Sequence, residues 1–543
     1  MMKSLKYIAL SACAVLSLGS CNDYLDKLPD DRAEIDTPEK VRQLLSSAYV
    51  TSAGDLINEM FSDNVCDNGR QYNSSLLHEE CYRFKDITDQ GHDSPYMVWN
   101  AGYNAVATAN EAIRAMKEMG NLEETKAQMA EAKLCRAYAM FMMANTFCMA
   151  WNPEKADVYL GLPYPTEPES SVDVKHDRGT LRQLYENINK DIEEALPDVD
   201  DNLYSVPKYH FNQRAAYAFA ARFNLYYLNY DKCIEYANKV LGNSPKSFMR
   251  DYEQYTQFGA LDTGNRYIKT NEPSNLMLVS YNSILGRTFV YGSYPRYCHG
   301  QVAASDTYWM KGPWGKGSED NTIYYAKMLY GSNECVFFPK MLEQFEYTDK
   351  LAGTGFVHTI DPVFTGDETL LCRAEAYILK HEYDKAVADM NIWIETHCKE
   401  EVVNDEKGTV TYRPVLTVES INEFVNELEY TPVEIESTSE RTMRKTMYPQ
   451  GIKIDNPSVD PTQENMIQLL LAMRRIETMY QGLRFMDIKR YGIAYCHNIS
   501  GEEWIYFNDN NDYLYDGVAG ADKRGAIQLP SDVINAGLEA NPR

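Results

Sequence analysis

The sequence lacks the short motifs that mark the best-known catalytic and metal sites. No C-x-x-C pair occurs among its 12 cysteines, so neither a zinc ribbon nor a thiol redox motif is supported. H-E-x-x-H, G-x-S-x-G and G-x-x-x-x-G-K-[ST] are missing as well; these are the signatures of zinc proteases, serine hydrolases and phosphate-binding loops. The chemistry of this chain therefore has to be sought in its composition and in longer patterns.

The chain also has fewer basic than acidic residues. The 543 residues include 53 lysines and arginines against 79 aspartates and glutamates, which gives a formal net charge of −26. Such a chain repels phosphate backbones and anionic lipid head groups, so we expect no nucleic-acid partner. If it is held at a membrane, something other than its own charge must hold it there.

Long apolar runs are absent except at the N-terminus. Lys3 and Lys6 precede an apolar stretch, 7–18, that is shorter than the roughly 20 residues of a spanning helix and is typical of a secretory signal. The following Leu-Gly-Ser-Cys resembles the bacterial lipobox, which predicts a lipoprotein signal peptide over 1–20, lipidation of Cys21 and a lipidated tether over 21–35. The alternative is an ordinary secreted protein in which this cysteine stands by chance.

Helical periodicity dominates the rest of the chain. Segments 127–151, 212–241 and 367–394 place apolar residues at three- and four-residue steps, and the last two each read as two helices joined by a short turn. The second helix of each pair begins Tyr-Asp-Lys, at Tyr230 and Tyr383, and carries an asparagine at Asn238 and Asn391. Such hairpins cannot bury their apolar faces alone and must stack. We therefore expect a mostly α-helical, tetratricopeptide-like repeat scaffold with long irregular, loop-rich insertions.

Composition divides the chain into parts. Residues 36–249 form a helical N-terminal part, and 367–543 form a C-terminal part with further hairpins. Between them, 250–366 carries 12 of the 41 tyrosines and 12 of the 30 glycines, which is typical of an ordered, functional insertion. A second insertion, 401–461, contains a strand-like segment and receives no role. The ten cysteines other than Cys13 and Cys21 are predicted to be mostly free and buried.

Several segments together resemble the SusD/RagB family of surface lipoproteins of Bacteroidota. The resemblance covers most of the mature chain and rests on five motifs in the family's order. They are Cys21-Asn22-Asp23-Tyr24-Leu25-Asp26 with Pro29; Trp99, Tyr103 and Asn110; Gly161-Leu162-Pro163-Tyr164 with Arg178; MRRIETMYQGLRFMDIKRYG over 473–492; and the closing LPSDVINAGLEANP. Gln481, Phe485 and Tyr491 depart from the residues that are common in the family.

The resemblance implies a function as well as a fold. Members of this family capture glycans at the cell surface without cleaving them and act as a lid over a SusC-like TonB-dependent transporter. It therefore implies a surface-exposed lipoprotein of the outer membrane, anchored through lipid on Cys21, with a glycan ligand and that transporter as partner. Two alternatives stay open: a tetratricopeptide-like scaffold that binds peptide or protein, and a glycoside hydrolase, whose carboxylate pair could not be recognised among so many acids.

Two stretches supply candidate glycan contacts, because a sugar presents an apolar face to aromatic rings and hydroxyls to polar groups. Trp314, in Gly-Pro-Trp-Gly, is predicted to stand in a tight exposed loop as the leading platform, or else to pack onto the scaffold. The other aromatic candidates are Tyr297, Tyr308 and Trp309 in the same insertion. An earlier loop adds the polar candidates Asp63, Asp67, Asn68 and Arg70, each of which could instead be a solvated loop residue.

The 473–492 motif is interpreted as structural. Its charged side chains are Arg475, Glu477, Arg484, Asp487 and Arg490, and they are expected to form an ion-pair network at a helix–turn junction. Gly482 is expected to supply the turn. No cofactor is expected. A structural calcium ion is conceivable from the acidic loops, but no EF-hand pattern supports it.

Overall fold

The computed structural model describes residues 35–169, 176–316, 323–324, 329–404, 409–435 and 440–543. It confirms a mostly α-helical chain. The α-helices are α1 Pro38–Leu45, α2 Asp55–Phe61, α3 Leu76–Tyr82, α4 Pro95–Met119, α5 Lys126–Phe147, α6 Leu181–Ala195, α7 Gln213–Tyr226, α8 Tyr230–Leu241, α9 Tyr252–Tyr255, α10 Ala260–Tyr267, α11 Gln301–Ala304, α12 Gly366–Leu379, α13 Tyr383–His397, α14 Val418–Asn426, α15 Thr462–Glu477, α16 Leu483–Tyr491 and α17 Ser531–Asn535.

Strands are short and antiparallel. One three-stranded sheet has the order β2-β9-β8, and the other strands pair two by two as β1-β3, β4-β5, β6-β7, β10-β11 and β12-β13. Their bounds are β1 Cys66–Asp67, β2 Asn275–Tyr281, β3 Tyr297–Cys298, β4 Lys311–Gly312, β5 Gly315–Lys316, β6 Tyr330–Gly331, β7 Val336–Phe337, β8 Glu343–Asp349, β9 Thr354–Thr365, β10 Glu401–Asn404, β11 Thr409–Tyr412, β12 Tyr495–Ile499 and β13 Glu503–Phe507.

The predicted hairpins stack on one another. Helix α7 packs on α8, α8 on α12, and α12 on α13, although a long insertion separates the two pairs in the sequence. Arg373 of α12 donates a hydrogen bond to the Oδ1 atom of Asn238 in α8 at 2.7 Å, so one of the two recurring asparagines joins the hairpins. The tetratricopeptide-like arrangement is thereby confirmed.

Local signals in the sequence determine where these helices begin. The hydroxyl of Thr37 accepts from the Lys40 amide and Pro38 follows it at the first helical position, as expected for an N-terminus. The side chain of Asn229 caps α8 by accepting from the Lys232 amide. These caps satisfy amides that have no partner within the helix.

The described residues of the 250–366 insertion are ordered, as the composition predicts, and contain more regular secondary structure than the expected loop-rich insertion. Strand β2 pairs with the buried C-terminal half of β9, and the more exposed N-terminal half of β9 forms a hairpin with β8. Thr365, at the end of β9, caps α12 by accepting from the Glu368 amide. The insertion is therefore joined rigidly to the repeat scaffold, and many of its aromatic rings belong to the common core.

Several predictions concern the N-terminus. The signal peptide 1–20, Cys21 and the tether up to residue 34 lie outside the described residues, so lipidation stays a prediction. None of the described helices is both long and apolar enough to cross a membrane. The ten cysteines at 66 and beyond are all free, and eight of them are buried, which confirms that prediction.

Candidate functional site

A cleft of about 310 Å³ lies between the loop after α2, residues of 431–435 and 441–445, and the β12–β13 hairpin. We refer to it as the hairpin cleft. It combines aromatic, amide, hydroxyl and charged groups, the mixture expected of a site for a small polar ligand. Its lining includes Asp63, Cys66, Asp67, Tyr82, Asp306, Thr431, Arg441, Lys445, Cys496, His497, Asn498, Ser500 and Trp504.

One wall of the hairpin cleft pairs an aromatic ring with an amide. Trp504 of β13 is partly exposed and lies directly opposite Asn498 of β12, which is exposed. Residues opposite each other in an antiparallel pair project on the same side of the sheet. The side chain of Asn498 makes no hydrogen bond within the described part of the chain, so its donors and acceptor remain available beside the indole.

The floor of the hairpin cleft is a rigid stack of rings. Tyr82 and His497 lie parallel with their ring centroids 4.0 Å apart, and Tyr297 stacks beyond Tyr82 at 4.7 Å. The two ring nitrogens of His497 lie 2.7 and 2.9 Å from the backbone carbonyl oxygens of Tyr82 and Ser62. These contacts fix the floor in one conformation. Its rings are almost wholly buried, so the floor supports the shape of the cleft and offers no open ring face to a ligand.

Paired charges form the inner end of the hairpin cleft. Arg484 contacts Asp63 at 2.8 Å, and Arg475 and Lys445 each contact Asp306 at 2.7 Å. Burial raises the pKa of Asp63 and Asp306, but the neighbouring cations outweigh it and hold both values below the usual range. Burial also lowers the pKa of Lys445 to about 8. The two carboxylates are therefore ionised at neutral pH.

These carboxylates are better suited to binding than to glycoside hydrolysis. A hydrolase needs one carboxylic acid whose pKa is raised so that it can protonate the leaving oxygen. Asp63 and Asp306 have pKa values shifted in the opposite direction. Ionised carboxylates can still accept hydrogen bonds from sugar hydroxyls.

Three of the predicted platform rings are buried. Trp314 is 1% exposed and Tyr297 and Tyr308 are both 0% exposed, so none offers a face to a ligand. The prediction that Trp314 stands in an exposed loop is wrong: β4 and β5 form a tight hairpin, and the indole lies back against Gly312, where a Cβ atom would come within 2.2 Å of the ring. Its ring centroid is 5.7 Å from that of Trp393.

The other five predicted contacts have different surroundings. Asp63 lines the hairpin cleft and is paired with Arg484. Trp309 is partly exposed but does not line the hairpin cleft. Asp67 lines the cleft, yet its side chain is fully buried against Arg296 at 3.3 Å. Asn68 donates to the Glu334 carbonyl at 2.8 Å, and the exposed Arg70 donates to Glu502 at 2.8 Å; neither Asn68 nor Arg70 lines the hairpin cleft. A glycan-binding role for these residues stays a prediction.

The predicted ion-pair network of the 473–492 motif is present. Asp487 contacts Arg490 at 2.6 Å, and Arg490 reaches Glu375 of α12 at 2.7 Å. Glu477 pairs with His397 at 2.7 Å, and Gly482 has φ +67°, the left-handed conformation that favours glycine. Most partners of the motif lie elsewhere in the chain, so the network ties α15 and α16 to the rest of the protein.

One buried group among the described residues has the ligand types of a metal site. Oxygen or nitrogen atoms of Asp367, His397 and Glu477 lie within 4.8 Å of one another. Arg250 donates its amide to Asp367 at 3.1 Å and Lys340 donates to the Glu477 carbonyl at 2.7 Å. Calcium needs six to eight oxygen ligands, whereas this group offers two carboxylates and an imidazole. Its residues do not fit a calcium ion.

Trp504 and Arg441 are the functional candidates that sequence reasoning missed. Trp504 stands in an alternating segment, EEWIYF, next to the Ser500-Gly501 turn, and that pattern could have marked a hairpin with one exposed face. Nothing in the sequence shows that this hairpin faces the loop containing Asp63. The hairpin of Trp504 and the loop of Asp63 are brought together only by the tertiary fold.

Comparison with known proteins identifies the relatives. Residues 23–225 match the SusD-like_3 family model, described as starch-binding associating with outer membrane. A SusD superfamily protein from Bacteroides thetaiotaomicron is 17% identical, with TM-score 0.59 over 93% of this chain and 100% of that one. A SusD superfamily protein from Bacteroides fragilis is 16% identical, with TM-score 0.58 over 93% and 99%.

The name of a third similar structure states what that protein binds. A SusD-like carbohydrate binding protein from Bacteroides vulgatus is 14% identical, with TM-score 0.54 over 92% of this chain and 96% of that one. No curated protein sequence matches the chain. The resemblance is confirmed by the family match over residues 23–225, and the solved structures share the fold over nearly the whole chain.

Proposed function

Taking the chain as a SusD-like protein, we propose that it binds a glycan in the hairpin cleft at the outer membrane, without cleaving it, and delivers it to a SusC-like TonB-dependent transporter. The proposal extends the family description of residues 23–225 to the whole chain. Lipid on Cys21 anchors the protein at the cell surface in this account.

The observation that carries the proposal is the pairing of Trp504 with Asn498 across the β12–β13 hairpin. An indole face buries the C–H surface of a sugar ring, and an adjacent amide both donates to and accepts from hydroxyls. The ring floor below and the fixed charges at the inner end keep the cleft preformed, which limits the entropy lost on binding.

Removal of the indole should abolish most of the affinity. We expect Trp504→Ala to weaken binding of the preferred oligosaccharide at least fivefold, since a stacking contact contributes about 1 kcal/mol beyond the buried area. The ligand is first identified by calorimetric titration of residues 22–543 against plant, microbial and host polysaccharides, with chromatography of the mixtures to detect cleavage products.

Tyr412→Ala is the matched control, because Tyr412 is 71% exposed on β11 and does not line the hairpin cleft. It should leave the affinity unchanged. Equal affinity of the wild-type and Trp504→Ala proteins would place the site elsewhere. Release of shorter products would show a hydrolase, and affinity only for peptides would show the scaffold alternative.

The anchor is tested separately. Cys21→Ala should move most of the protein out of the membrane fraction of the producing cells, because multiple acyl chains give stable anchoring and a net charge of −26 disfavours contact with anionic head groups. Cys13→Ala, in the apolar part of the signal, should leave the membrane fraction unchanged. Membrane partitioning of the Cys21→Ala protein equal to wild type would refute the anchor.

A further inference from the structure

Arg441 lines the hairpin cleft and has few partners within the described part of the chain. Its side chain is 17% exposed, and its one ion-pair contact joins Nη1 to Asp306 Oδ2 at 3.6 Å. The Nε atom is buried and has no hydrogen-bond partner, and within the described part of the chain the guanidinium donates no hydrogen bond. A guanidinium has five donors in a planar fork, and leaving them unpaired is unfavourable once they are shielded from water.

The carboxylates beside Arg441 are already neutralised by other cations. Asp63 is contacted by both Arg475 and Arg484, while Asp306 is contacted by both Arg475 and Lys445. With Arg441, four cationic side chains surround two carboxylates. Arg475 and Arg484 do not line the cleft themselves but neutralise the carboxylates that do. Arg441 is therefore a lining cation whose charge these carboxylates do not require, in a protein whose net charge is −26.

The unpaired donors of Arg441 indicate which kind of ligand the cleft can hold. A neutral sugar gains little from an excess cation, whereas an oxyanion gains a charge-assisted hydrogen bond to a guanidinium, often a bidentate one. Repulsion from the rest of the acidic surface disfavours an anionic chain everywhere except where cations accumulate. The cleft thus has a specific place for one negative group.

We propose that the hairpin cleft selects a glycan bearing an oxyanion, a carboxylate or a sulfate, which Arg441 binds while Trp504 stacks on a sugar ring. The proposal rests on the proposed function and specifies its substrate class. Arg441 and Lys445 line the same cleft as Trp504 and Asn498, so the charged and the stacking contacts belong to one site.

The test compares matched acidic and neutral ligands. The protein is titrated with oligogalacturonate and its methyl ester, with glucuronate-containing oligosaccharides before and after carboxyl reduction, and with sulfated galactan oligosaccharides before and after desulfation. We expect the tightest ligand to be an acidic one and its neutral counterpart to bind at least tenfold more weakly. Loss on carboxyl reduction identifies a carboxylate, and loss on desulfation identifies a sulfate.

Variants assign the effect to Arg441. Arg441→Gln, which keeps much of the side chain but removes the charge, should weaken the acidic ligand at least tenfold and leave the neutral counterpart unchanged. Arg214→Gln is the control, because Arg214 is exposed beside Phe248 and lies outside the cleft. Affinity of the wild-type protein for the acidic ligand should also fall as salt is added.

Two results would overturn the inference, and they are distinguishable. If the tightest ligand is neutral and its affinity depends on Trp504 but not on Arg441, the substrate class is wrong while glycan binding in the cleft stands. If neither acidic nor neutral glycans bind, the proposed function fails together with the inference.

Discussion

Replacing Asp487 with asparagine should lower the free energy of unfolding by about 3–5 kcal/mol, the range measured when one partner of a buried ion pair is removed. Asp487 is fully buried and contacts Arg474 at 3.2 Å and Arg490 at 2.6 Å. Glu368 and Glu375 complete a network in which three arginines, including Arg222, face three carboxylates. Asparagine has nearly the same shape, so the loss reports the missing charge.

The pH dependence separates this effect from simple misfolding. Burial raises the pKa of Asp487, but the arginines outweigh it and the pKa is lowered overall. A depressed folded-state pKa stabilises the protein above the unfolded value, about 3.9 for aspartate, and this stabilisation disappears as the pH falls further. In urea titrations, the difference between wild type and Asp487→Asn should therefore shrink below about pH 4.

The exposed pair of Arg114 and Glu118 on α4 provides the control. Glu118→Gln should hardly change the urea midpoint, because exposed ion pairs contribute little. An Asp487→Asn protein as stable as Glu118→Gln at pH 7 would show that the buried network does not stabilise the fold.

Replacing Trp314 with alanine should destabilise the protein by about 3–5 kcal/mol, since truncating a buried aromatic residue leaves a cavity. The indole is 1% exposed and packs against Trp393. Glycan affinity, measured at a temperature where the variant is folded, should not change. Thermal unfolding and calorimetric titration of the same sample measure both properties.

Trp314→Phe tests whether the effect is one of packing. Phenylalanine fills much of the cavity and removes the indole N–H, which has no hydrogen-bond partner within the described residues. The loss of stability should therefore be clearly smaller than for alanine. If folded Trp314→Phe loses as much glycan affinity as Trp504→Ala, Trp314 belongs to the site and the assignment of the hairpin cleft is wrong.

The helical scaffold could be predicted because its signals are local. Apolar spacing, the Thr37–Pro38 start and the Asn229 cap each act within a few residues, and the structure confirms them. That the hairpins stack could be predicted, because such hairpins cannot bury their apolar faces alone; the pairing of α8 with α12 is seen only in the structure.

The candidate site could not be predicted because its contacts are long-range. Arg484 is paired with Asp63, so a C-terminal motif meets a loop from the start of the chain. A turn such as that of Trp314 indicates a loop but does not determine whether the ring points outward or folds back over a glycine. Trp504 is a candidate because its hairpin faces the loop that contains Asp63, which no local pattern indicates.

The most direct test of glycan binding in the hairpin cleft is a crystal structure of residues 22–543 with the tightest oligosaccharide from the titrations. The account predicts density for a sugar ring against the indole of Trp504, with its anionic group at the guanidinium of Arg441. Density for the ligand on another surface, with the hairpin cleft empty, would contradict it.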